Sequence, residues 1–214
     1  MNPTICKPGI YNGSGVYKNG AASGGGGGGQ GYIYYDSIEP IADGYYKCVQ
    51  IGNKLWMNEF LQQPVSGSLA MVTPYGALYQ YSALFSSDGT MNSTFTSRPN
   101  TSGWRLPTND EFNNLFVELD AKEIDFKSKY GWYNDGNGNG DKKLSFFPIG
   151  FSQGGVPDLN TLSKFGYWWT STVISASDAR AIGLHWDSNT GVSFGGGAGT
   201  NKNFYFGIRL VKDL

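Results

Sequence analysis

Charge is what this chain has least of. Only 15% of its residues are Asp, Glu, Lys or Arg, against about a quarter in ordinary soluble domains. The 16 basic and 17 acidic residues nearly cancel, which excludes electrostatic capture of a polyanion, so nucleic acid is not an expected partner. Histidine is nearly absent, with His185 alone, and cysteine is limited to Cys6 and Cys48. Those two lie far apart; a disulfide is open, and two buried or idle thiols is the reading preferred. No apolar run reaches membrane-spanning length, so no membrane span is expected. The opening Met1-Asn-Pro-Thr-Ile-Cys-Lys7 lacks the apolar stretch of a signal peptide. The expectation is therefore synthesis in a cytoplasm, with any export as part of a particle.

What the chain has instead is glycine, 32 residues, and aromatic side chains at 15%. That mixture suits a loop-rich β structure in which Trp and Tyr supply core volume and glycines supply turns. Ile10-Tyr-Asn-Gly13 is echoed by Val16-Tyr-Lys-Asn-Gly20, and an unbroken run from Gly24 to Gly29 follows. A glycine run has no side chains to bury, so it reads as a linker. The division expected is an anchoring segment at 1–23, a Gly-rich linker at 24–44 and one domain at 45–214, with residues 1–35 docking onto a larger assembly.

Within the domain, Tyr46 to Met57 alternates around Ile51-Gly-Asn-Lys54 and predicts two strands with a turn. Gly76 to Leu84 predicts a helical turn. Thr108 followed by Glu111 predicts a capping box, and Phe112, Leu115, Phe116 and Leu119 then recur at helical spacing. Leu144 to Ile149 predicts a short strand and Tyr167 to Val173 an aromatic one. Ala181–Trp186 and Val192–Phe194 flank turn residues and predict a hairpin. Phe204, Phe206, Ile208 and Leu210 predict a last strand, pairing centrally near the strands that open the domain.

Four stretches carry a resemblance: Val49-Gln-Ile-Gly-Asn-Lys-Leu-Trp-Met57, Gly103-Trp-Arg-Leu-Pro-Thr108 with Glu111, Tyr167-Trp-Trp-Thr-Ser-Thr172, and Gly207-Ile-Arg-Leu-Val-Lys-Asp213. In this order they resemble the Fibrobacter succinogenes major paralogous domain. The resemblance implies an α+β, C-type-lectin-like fold with short antiparallel sheets, one or two helices and long loops, preceded here by an extended Gly-rich segment. It also implies kinship with formylglycine-generating enzymes and with the variable proteins of diversity-generating retroelements. Physically, Trp56, Trp104, Trp168 and Trp169 read as core. Arg105 and Arg209, set in apolar motifs, need carboxylates or loop carbonyls.

Enzyme readings fare poorly. The formylglycine-generating mechanism needs cysteines late in the domain, and none follows Cys48. The related iron-dependent sulfoxide synthases need several histidines. Gly150-Phe-Ser-Gln-Gly154 matches a nucleophile-elbow string, with Asp158 or Asp178 and then His185 downstream. Gly154-Gly-Val-Pro157 cannot start the helix an elbow requires, and a turn is the reading. Asp135, Asn137, Asn139 and Asp141 echo half of a calcium loop, but Phe146 stands where a bidentate Glu is needed. A solvated turn is the first reading there and weak calcium binding the second; no other cofactor is expected.

The expected ligand-binding surface is Ser175, Ser177, Asp178, Arg180, His185, Trp186, Asp187, Asn189, Asn201, Asn203 and Tyr205. These are adaptable polar groups with aromatic anchors, in the part of the fold that the resemblance assigns to recognition. Tyr130, Trp132, Tyr133 and Asn134 are expected to flank it. The function expected is a non-catalytic receptor-binding module on a phage head or tail fibre in the virion, displayed as a homo-oligomer such as a trimer. Its partners would be a host surface glycan or protein, and other virion proteins through residues 1–35. A bacterial cell-surface adhesin or lipoprotein is the alternative, and an enzyme is disfavoured.

Overall fold

The computed structural model describes residues 36–70, 76–138, 144–188, 193–194 and 199–214; the expected anchor at 1–23 lies outside them. Three strands open the fold, β1 (Asp36–Ile41), β2 (Gly44–Ile51) and β3 (Lys54–Met57). The turn after β1 places Ala42 at φ 52° and the turn after β2 uses Gly52 at φ 58°, a conformation that costs glycine little. β4 (Ser68–Ala70) and β5 (Ala77–Gln80) lead into two single helical turns, α1 (Tyr81–Leu84) and α2 (Ser93–Thr96). β6 (Trp104–Arg105) precedes α3 (Asn109–Glu118), the longest helix among the described residues, and α4 (Glu123–Phe126) is one more turn. The chain ends on β7 (Phe165–Val173), β8 (Asp178–His185), β9 (Ser193–Phe194), β10 (Thr200–Asn201), β11 (Tyr205–Phe206) and β12 (Val211–Asp213).

Among the described residues all strand pairs are antiparallel and form three sheets, β1-β2-β3-β12-β6, β10-β8-β7 with β9 beside β8, and β11-β5-β4. The fold is thus mixed α+β, mostly antiparallel sheet with few helices. The last eleven residues stitch the sheets together. β11 pairs with β5, Gly207 exchanges hydrogen bonds with Tyr167 and Trp169 of β7 at 2.9 and 3.1 Å, and β12 inserts between β3 and β6. The central pairing expected of the C-terminus is present. The single strand expected there is broken in two, because it serves different sheets at its two ends.

Three other expectations need correction. The expected linker extends to residue 44, yet Asp36 to Ile41 pair with Val49 to Gly44 and Ile41 is wholly buried. Hairpin pairing and the burial of Ile41 outweigh the glycine-rich texture before them. Gly76 to Leu84 begins as strand β5 and only then turns helical. Leu144 to Ile149 is not a strand; Phe146 makes an isolated bridge to Lys127, and Pro148 lacks the donor a ladder needs.

The capping box is formed as the sequence predicts: the Thr108 hydroxyl accepts from the Glu111 amide at 3.0 Å, and Glu111 Oε2 accepts from the Thr108 amide at 2.8 Å. Phe112, Leu115 and Leu119 of that helix are buried. The core divides into two clusters on either side of β7 and β8. Trp169, Tyr79, Tyr81 and Phe206 belong to one, Trp168, Phe60, Phe112 and Phe146 to the other. Trp56 and Trp104 are buried as well. Arg209 is also fully buried, donating to the carbonyls of Met57 at 2.8 Å and Ser145 at 2.6 Å. Its guanidinium lies 4.0 Å from the Phe146 ring centre, so the cation is held by carbonyls and a ring face rather than by a carboxylate.

Candidate functional site

The residues expected to form one surface are spread over β8, its two ends, and strands β10 and β11. Ser175, Ser177 and Asp178 stand at its start, His185, Trp186 and Asp187 at its end. Eight strand residues span about 23 Å, so a small ligand cannot touch both groups. Arg180 lies half-buried within the strand, its carbonyl accepting from the Thr170 hydroxyl at 3.0 Å. Tyr205 sits in β11, its backbone paired with Ser152. Asn189, and with it Asn139 and Asp141, lies outside the described residues.

The start of β8 is a tip made of three polar loops. Small hydroxyl residues can turn the chain by bonding their own backbone, and here Ser175 Oγ accepts from the amides of Ser177 and Asp178 at 3.2 and 3.0 Å. The Asp178 carboxylate accepts from the hydroxyls of Ser177 and Ser175, which hold it below the usual carboxylate range. Strand β10 pairs Asn201 with Asp178, and Asn201 Oδ1 accepts from the Asn203 amide at 2.9 Å. The third loop turns at Gly89, at φ 90°, where Asp88 accepts from the Thr90 amide and hydroxyl at 3.0 and 2.7 Å. A Cβ on Gly89 would lie 2.2 Å from the Ser171 carbonyl oxygen, so only glycine fits that approach.

Lys202 ties these loops together. Its ammonium donates to Ser87 O at 3.2 Å, Ser175 O at 3.0 Å and Ala176 O at 3.3 Å, and sits 5.1 Å above the Tyr81 ring. Three donors on one flexible stem suit three carbonyls converging from two loops. Sequence reasoning missed this residue because a lone lysine carries no pattern. It also missed the Ser86–Thr90 loop, where the Asp-Gly pair is a legible turn signal.

Beside the tip, a cleft of about 480 Å³ is lined by Asp88, Thr90, Arg105, Thr108, Glu111 and Ser171 among others. That volume falls in the range of small-molecule sites. Arg105 reaches Glu111 through two parallel bonds of 2.8 and 2.7 Å and Asp213 at 2.9 Å. The bonds to Glu111 above all hold the guanidinium charged. For Glu111, burial pushes the carboxyl up, yet the bonds from Arg105 and the Thr108 amide leave it below its ordinary value. Tyr81 is buried, its hydroxyl has no partner among the described residues, and a Cβ on Gly89 would sit 3.2 Å from it. Comparison with protein-family models, curated proteins and solved structures finds no match.

The far end of β8 collects a second group. Tyr133 packs edge-to-face on Trp186 at 5.4 Å, and the flanking patch expected at Tyr130, Tyr133 and Asn134 is exposed there. Trp132 is the exception, being buried with its indole N–H donating to Phe146 O at 3.3 Å. His185 lies between Phe165 and Tyr167, its Nε2 2.9 Å from the Tyr167 hydroxyl, and burial lowers its pKa. Ser152 is fully buried and its hydroxyl donates to Val156 O; bends rather than a helix follow it. Cys48 is a free, buried thiol, its pKa pushed up by burial. In the calcium-like stretch, Asn137 Oδ1 is taken by the Trp132 amide at 2.9 Å. No group of three or more His, Cys, Asp or Glu side chains suited to a metal occurs among the described residues.

Proposed function

We propose that this chain is a non-catalytic recognition module of the C-type-lectin-like class, which meets its ligand with the three-loop tip and the adjoining cleft. The observation that carries the reading is the Lys202 ammonium shared among the Ser87, Ser175 and Ala176 carbonyls. Recognition favours polar groups on loops whose conformation is settled before the ligand arrives, since ordering them on contact weakens binding. The tip has such groups, and a rigid sheet under them. The reactive side chains fit the same reading: Ser152 and Cys48 are buried and His185 is held by Tyr167.

The setting proposed is the surface of a phage particle, with a host surface glycan or protein as ligand. The tyrosine-glycine repeats and glycine run ahead of the domain suit a tether to a larger assembly, and display in several copies would raise a weak single-site affinity. The experiment is binding of the labelled chain to a panel of intact bacterial strains. Ala176→Arg, at an exposed tip position, is expected to abolish binding, while Val117→Arg, at an exposed position of α3, leaves it intact. Binding to no strain, or undiminished binding by Ala176→Arg, overturns the proposal.

A further inference from the structure

At the end of β8 opposite the tip, three segments meet and hold one another. The Tyr133 amide donates to Ser163 O at 2.8 Å, the Trp186 amide to Lys164 O at 2.8 Å, and the Gly136 amide to Tyr133 O at 3.0 Å. Asn134, Asp135 and Ser163 all adopt positive φ, at 47°, 61° and 68°, a conformation that persists only where surroundings over-determine it. A Cβ on Gly136 would lie 2.3 Å from Trp186 O, so the 130–137 turn is pressed against the end of the strand.

Beneath this junction lies a buried ion pair. Glu123 and Lys127 are both fully buried, with 3.7 Å between Oε1 and Nζ. Glu123 Oε1 accepts from the His185 amide at 2.6 Å, and the Lys127 ammonium donates to Ser188 O. A buried pair is a poor source of stability compared with apolar packing; what this one does is fix the backbone on both sides of Trp186 and Asp187.

On this base Tyr133 is clamped yet open. Trp186 meets its ring at 5.4 Å and 88°, Lys164 Nζ lies over one face of it, 5.1 Å from the centre, and the residue remains 50% exposed. Asn134 and Asp135 follow it along the chain and Asp187 follows Trp186, all three exposed, and Tyr130 is 76% exposed nearby in sequence. An immobilised ring, covered on one face by Lys164 and half exposed, with exposed amide and carboxylate side chains next to it and to Trp186 along the chain, suits a molecule with a C–H face and a rim of hydroxyls. The carboxylates disfavour a phosphodiester, and the polar surround gives an apolar helix no groove to fill.

We infer that the Tyr133–Trp186 corner is a pyranose-binding subsite, with the sugar ring stacked on Tyr133 and its hydroxyls bonded to Asn134 and Asp187. This goes beyond recognition at the tip and uses separate residues. The test is saturation-transfer NMR on the full chain with methyl glycosides of hexoses and N-acetylhexosamines. Transfer to the ring C–H protons of at least one glycoside is expected. Tyr133→Ala should weaken it about tenfold, roughly the weight of one aromatic contact, while Tyr133→Phe keeps it. The tip variant Ala176→Arg should bind the glycoside normally, so failure of the corner and failure of the tip are read separately. No transfer from any glycoside, an unchanged signal in Tyr133→Ala, or equal loss in Tyr133→Phe overturns the inference.

Discussion

Trp168 and Trp169 are consecutive residues whose indoles enter different halves of the core. Trp169 donates to Tyr79 O at 2.9 Å and packs 4.5 Å from Phe206. Trp168 stacks on Phe60 at 5.8 Å and meets Phe146 at 4.7 Å. A strand sends successive side chains to opposite faces, so both faces of β7 are buried and the sheet under the tip is clamped from two sides.

Either tryptophan is therefore expected to be indispensable. Trp168→Ala and Trp169→Ala should each lose about 3–5 kcal/mol, much of a typical domain's stability. Guanidinium unfolding followed by fluorescence and circular dichroism measures this. Two transitions in the wild type, each abolished by one variant, would show that the halves fold independently and contradict the account.

Lys202→Met should loosen the tip while sparing the core. The expected global loss is about 1 kcal/mol, since Lys202 is only half-buried. Amide hydrogen exchange in 86–90 and 174–178 should quicken, while that in β7 stays unchanged. Lys202→Arg should behave alike, because a planar fork cannot reach three carbonyls so disposed.

Thr108→Ala is expected to cost about 1 kcal/mol through the lost cap. Glu111→Gln should cost more, because Glu111 serves the cap and Arg105 together. A double-mutant cycle with Arg105→Ala should be clearly non-additive. Strict additivity would mean the two-bond contact contributes nothing.

His185 predicts a pH dependence. Burial holds its pKa below the ordinary value, with Asp187 pushing up and Lys127 down. The unfolded imidazole then takes up a proton first, near pH 6.5. Stability is fully present above that pH and is lost as pH falls through the folded pKa. Glu123, whose carboxyl burial holds above its usual value, acts in the opposite sense. The difference between wild type and His185→Gln in urea midpoints isolates the histidine, and the variant should be flatter below pH 6.5.

Much of the scaffold was legible because it rests on local signals. The Thr108–Glu111 box, the alternation from Tyr46 to Met57 and the aromatic Tyr167–Val173 run each fix structure within a few residues. The division of the site was not legible. Ser175 and Trp186 look adjacent along the chain, and only an uninterrupted strand between them places them at opposite ends. Lys202 was invisible for another reason: its partners, Ser87, Ser175 and Ala176, are backbone carbonyls, which no side-chain pattern announces. The cleft, built from residues 88–91, from Arg105, Leu106, Thr108 and Glu111, and from Ser171, depends likewise on long-range packing.

The central claim is that the tip touches the ligand. Hydrogen exchange of the chain bound to envelopes of a strain it recognises tests this most directly. Slowed exchange in the Ser86–Thr90, Ile174–Asp178 and Gly199–Asn203 loops is predicted. Unchanged exchange in all three loops, with protection elsewhere, would contradict it.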